Sequence, residues 1–157
     1  MQRPFREEIS DIRPASFGKR LMSMVYDGLI LISIWLGVAI VGTMINQGGV
    51  ISPLGRAAMQ SAAFCCSFLF FGYFWTKNGQ TLGMQAWRLR VQTFDGQRIS
   101  WTQALIRFLC SIVSWIPAGL GFLWMLVGDE RLTWHDRWSE TSVVSLPKRE
   151  KKKKSGR

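Results

Sequence analysis

This sequence predicts a mainly helical membrane fold. It comprises two transmembrane helices, a broken or re-entrant third apolar helical element, and a small cytoplasmic cap built on a β-hairpin or three strands. Three observations predict it. Hydrophobic residues make up 48% of the 157, an ordinary share for a soluble protein, but they are segregated. The 55 residues from Leu21 to Trp75 carry two charges, Asp27 and Arg56. The net charge of +10 comes from bases that flank the apolar stretches, a pattern suited to an anionic membrane face rather than to nucleic acid. Such segregation excludes a soluble globular fold and a disordered chain alike. The length suits one domain, divided into a polar tail (1–14), a membrane domain (15–147) and a basic tail (148–157).

The first span, Leu21 to Ile45, has 25 residues. At ~1.5 Å per residue it exceeds the ~30 Å hydrocarbon core, so it tilts or runs into the interface. The second, Ala57 to Trp75, has 19 residues and no charge. Ala58, Ala62 and Cys66 give it a small-residue face for close helix approach. Phe70, Phe71, Tyr73, Phe74 and Trp75 read as an interfacial aromatic belt. The link from Asn46 to Gly55 is short and rich in glycine, so the two helices form an antiparallel hairpin.

Orientation follows from the bases. Five precede the first span (Arg3, Arg6, Arg13, Lys19, Arg20), the link has at most Arg56, and four follow in the central segment (Lys77, Arg88, Arg90, Arg98). The positive-inside rule then puts the N-terminus and the central segment in the cytoplasm. The first 20 residues are polar, so no cleavable signal peptide is expected.

The third apolar stretch, Leu105 to Val127, has 23 residues and admits two readings. A full crossing would place nine bases outside. Pro117, Gly119 and Gly121 instead break it into pieces too short to span ~30 Å. A re-entrant or interfacial hairpin shielded by the first two helices is preferred.

In the central segment Leu89 to Phe94 reads as a strand, Asp95-Gly96 as a hairpin turn and Gln97 to Ser100 as its return strand. Ser100 with Gln103 forms a capping box that starts the next helix near Trp101. Thr133 with Asp136 resembles a second start, for a short interfacial helix bearing Trp134 and Trp138 at i, i+4. Thr141 to Leu146 is a candidate third strand. The tail from Lys148 to Arg157, with seven bases and one acid, is expected to be solvated and to touch anionic lipid.

Asp27 is the sharpest signal, ~9 Å into an apolar span. It is either an ion or proton site or half of an ion pair that fixes helix packing; the second is favoured. Arg20 is seven residues earlier, too far along the axis for a simple bridge. Arg107 is the expected partner, with Arg20 and Arg137 as second choices. His135-Asp136-Arg137 offers three chemistries side by side, but helix neighbours diverge, so a structural role is expected. Cys65, Cys66 and Cys110 lie in apolar stretches and read as reduced packing residues. There is no metal-ligand spacing, no nucleophile motif and no P-loop. Neither an enzyme, a cofactor nor a metal is expected. Gly79-Gln80-Thr81-Leu82-Gly83 lacks the lysine-serine end of a phosphate loop and reads as a tight turn.

Arg20 and Asp27, the segment Gly79 to Gly83, Asp95-Gly96, Gln103 to Arg107, and Asp136 to Thr141 follow one another in an order that resembles the RDD family of small, mainly bacterial membrane proteins. Its arginine and two aspartates would map to Arg20, Asp27 and Asp136, and the resemblance covers about Ala15 to Pro147. Met84 stands where the family often has lysine, and Glu140 where it often has glycine. The resemblance implies two classes of function: sodium/proton antiport, and a place in a membrane quality-control complex. The leading expectation is therefore an accessory or assembly protein of the bacterial inner membrane with both termini cytoplasmic. Its partners would be the bilayer, anionic lipid at the tail, and a second copy or another membrane protein. The second is an oligomeric ion or solute transporter that uses Asp27.

Overall fold

A computed structural model describes residues 5, 12–47, 49–116, 120–126 and 132–147. Pro117, Gly119 and the basic tail lie outside the described residues. Strand β1 (Arg13–Pro14) leads into helix α1 (Phe17–Ile45), a turn, and helix α2 (Pro53–Asn78). Both helices are long and apolar enough to cross a membrane. Within α1, hydroxyls that would be stranded in lipid are satisfied by the helix itself: Ser33 donates to the Leu29 carbonyl at 3.0 Å and Thr43 to that of Ala39 at 2.9 Å. Helix α2 starts on a Ser52 cap with Pro53 in the first turn. It ends at Gly79, whose φ of 69° closes the helix in the left-handed region.

The two helices touch through Met59 against Gly42 and through Trp35, which donates to Ser67 at 2.9 Å. The expected small-residue face does not make this contact, since Ala58 and Ala62 are exposed. Nor is the aromatic end of α2 a simple belt. Tyr73 is exposed, but Trp75 is buried and Phe71 packs against the core.

The chain then forms a short helix α3 (Leu82–Ala86), strand β2 (Leu89–Thr93), helix α4 (Trp101–Trp115), helix α5 (Leu120–Leu123) with a 3-10 turn after it, helix α6 (Trp134–Trp138) and strand β3 (Thr141–Ser145). The capping box expected at Ser100 with Gln103 is present, and the helix start expected at Thr133 with Asp136 is a capping box too. Helix α4 buries Ala104, Arg107, Phe108 and Ser114, one helical face, and leaves Leu105, Leu109 and Ile112 exposed. Its Phe108 meets Phe64 and Phe68 of α2 at ring centroid distances of 5.4 and 5.6 Å. Gly121 of α5 lies against Ser114, so the third apolar stretch folds back on α4.

The sheet differs from the expected hairpin. The turn at Asp95-Gly96 forms, with Gly96 at φ 76° and Thr93 N–H donating to the Gln97 carbonyl at 2.9 Å. Residues 97–100 then leave the ladder, because Ile99 is drawn into the core and Ser100 caps α4. The strand order is β1-β3-β2, with both pairs antiparallel. The central strand is thus the last in sequence, and one edge is the two-residue β1, which lies shortly before α1. Strands from before α1, between α2 and α4, and after α6 share one sheet. Ala15, Leu89, Val91, Ile99 and Val143 join Trp75, Met84, Ala104 and Phe108 in one core beneath it.

Candidate functional site

Asp136 is the centre of a buried polar cluster. The capping box at the start of α6 fixes its carboxylate, and Oδ2 accepts from the Thr133 N–H at 3.2 Å. The same oxygen accepts from Arg20 Nη1, and Oδ1 accepts from Arg107 Nη1 at 2.5 Å. Arg20 also donates to the Val143 carbonyl at 3.2 Å, and Arg107 to Thr141 Oγ1 at 2.7 Å. One carboxylate therefore ties the first turn of α1 to the second turn of α4, and both to the sheet. Asp136 has no solvent exposure. Burial alone would raise its pKa, but the Arg107 and Arg20 charges reverse that and hold it well below the usual carboxylate range. Trp75 stands 5.4 Å from the Arg107 guanidinium and extends its surroundings as a cation–π partner.

His135 lies beside this cluster, with Nε2 at 2.9 Å from Thr133 Oγ1 and Phe122 over its ring at 4.9 Å. Burial, and then the Arg107 charge, push its pKa down to about 3, against the pull of Asp136. The imidazole is neutral at physiological pH.

Asp27 does not meet Arg107, Arg20 or Arg137. Its Oδ2 accepts from Thr81 Oγ1 at 2.5 Å and its Oδ1 from the Gly83 N–H at 2.9 Å. Those donors belong to the start of α3, which folds back over the first turns of α1. The pairing expected with Arg107 fails because Arg107 is already committed to Asp136 and Thr141. The helix that shields Asp27 comes from the glycine segment read as a turn. The close approach needs Gly83: a Cβ there would stand 2.3 Å from the Ser23 carbonyl oxygen. The local signal for this is slight: Thr81 is an N-cap residue type, and it caps α3 by accepting from the Met84 N–H at 3.2 Å. Arg137 points outward and is exposed.

These features define a class: a helical membrane protein with a two-helix apolar hairpin, a three-strand sheet at one end, and buried charges that fasten the two together. The family model for the RDD family matches residues 14–140, and the chain belongs to that family. No curated protein and no solved structure matches the chain.

Proposed function

We propose that this protein is a non-enzymatic accessory or assembly protein of a bacterial inner membrane, with both termini, the sheet and the basic tail in the cytoplasm and the 46–52 link outside. The observation that carries this reading is the Asp136 bridge to Arg20 and Arg107, which uses the family's arginine and one of its aspartates as a fastening. Asp27 is used in the same way, on neutral donors of α3. The sheet supports the topology. Its strands come from before the first helix, after the second, and after the third apolar stretch, so that stretch returns to the side it left. Helix α4, at 15 residues and ~1.5 Å each, is short of the ~30 Å core. Partners on this reading are anionic lipid at the tail and a second copy or another membrane protein, with no role for nucleic acid.

The competing reading is an oligomeric cation or solute transporter with Asp27 as the proton-carrying group. Two spans per chain cannot enclose a path, so it requires assembly. The test is mass measurement in mild detergent followed by proton and sodium flux in liposomes. The accessory reading expects no flux above protein-free liposomes. Flux that is abolished by Asp27→Asn in a protein that still folds contradicts it.

A further inference from the structure

Arg20 and Arg107 do more than hold Asp136. Both also line a cavity of about 940 Å³ among α1, α2 and α4. Its origin is topological: α1 packs on α2 and α2 packs on α4, whereas α1 and α4 share no extended contact among the described residues. They are joined at one end through Asp136. The walls above that junction are apolar, with Leu31 of α1, Phe64 and Phe71 of α2, and Phe108 of α4.

Arg20 and Arg107, with Trp75 and His135, form its floor. Arg20 Nε, Arg107 Nε and Trp75 Nε1 are buried without a hydrogen-bond acceptor among the described residues, and His135 Nδ1 is buried without a partner beside them. Both Asp136 oxygens are already taken, and native proteins rarely leave several such groups together. Two guanidinium charges against one carboxylate leave this end with an excess of positive charge. The other charged group in the wall, Asp27, is turned onto Thr81 and Gly83.

Arg20 lies in the first turn of α1, and the cavity reaches Trp35, 15 residues further along the helix, or ~22 Å. A cationic end at the start of a span with an apolar length running up it matches an acidic lipid. The cavity volume sits at the top of the range for single ligands, roughly 300–1,000 Å³.

We propose that this cavity binds one anionic phospholipid, its phosphate against Arg20 and Arg107 and an acyl chain along α1 towards Trp35. The site is distinct from any contact of lipid with the basic tail, and it does not depend on the accessory reading.

Gly28 lines the cavity, and a Cβ added there meets nothing within 4 Å. Gly28→Leu therefore fills the chain's path and leaves the Asp136 junction untouched. Ser111→Leu does the same from α4 and serves if the first variant does not fold. The experiment is native mass spectrometry of the full chain in mild detergent, with phosphatidylglycerol or phosphatidylcholine of identical chains. One phosphatidylglycerol per chain is expected, held at least about tenfold better than phosphatidylcholine, resistant to millimolar inorganic phosphate, and lost in the folded variant. Equal retention of the two lipids overturns the headgroup assignment. Displacement by inorganic phosphate overturns the acyl-chain assignment. Undiminished retention in the variant, or a lipid-free dimer, overturns the site.

Discussion

At the scale of residues, burial and charge compete, and the competition has consequences for pH. His135 keeps its proton off until about pH 3 in the folded protein, whereas an exposed histidine titrates near ~6.5. Between those values the unfolded chain binds a proton that the folded one refuses. The stability from burying a neutral His135 is thus complete above about pH 6.5 and is lost as pH falls. Asp136 is likewise depressed in the folded state, so its contribution is present above its ordinary value near ~4 and is lost below it. The melting temperature in detergent is expected to drop from pH 7 to pH 5 and again below pH 4. His135→Gln should flatten the first drop and leave the second; an unchanged first drop would assign it elsewhere. Glu140 presents a different strain. Its φ of 52° lies in the left-handed region, where a side chain costs ~1–2 kcal/mol and glycine does not. Glu140→Gly is expected to stabilise by roughly 0.5–1 kcal/mol after glycine's own entropy cost, read from denaturant unfolding; a loss of stability would show that the Glu140 side chain has a structural role.

At the scale of elements, what could be read from the sequence was whatever local chemistry decides. Apolar length marked both spans, and Ser100 with Gln103 and Thr133 with Asp136 marked the starts of α4 and α6. Asp95-Gly96 marked the turn after β2. What could not be read was partnership over long separations. Nothing local says that Arg13–Pro14 pairs with β3, or that residues 97–100 give up a strand because Ile99 and Ser100 are claimed by the core and by α4. The same holds for the site. Asp27 was visible as a charge in an apolar run, but its partners lie 54 and 56 residues away, on a helix of five residues with too short a pattern to predict. That helix gives a test. Gly83→Ala would place a Cβ 2.3 Å from the Ser23 oxygen and 2.9 Å from Asp27 Cγ, so α3 must lift off α1 and loosen the Gly83 hydrogen bond. A loss of about 1–3 kcal/mol is expected in detergent unfolding; a neutral effect would mean that α3 is not held against α1.

At the scale of the whole molecule, a membrane chain this short has little core of its own beyond the sheet end. Much of α1 and α2 faces outward, and the large exposed side chains there, such as Leu29, Leu36 and Ile45, are covered by lipid. The hydrophobic effect drives little association between helices in lipid, so specific polar contacts must set how the sheet, α4 and α6 sit on the hairpin. Asp136 makes the most far-reaching of these among the described residues, because it joins α1, α4 and α6. Losing it strands two buried guanidinium groups, at a cost of roughly 3–5 kcal/mol. The most direct test is a double-mutant cycle of Arg107→Gln and Asp136→Asn, measured by reversible unfolding of the full chain in mixed micelles. If Asp136 fastens the molecule together, the double variant should be more stable than the sum of the single losses implies, by at least about 1 kcal/mol. Additive losses would contradict the account, since Arg107 and Asp136 would then act independently and the charges would not hold the fold together.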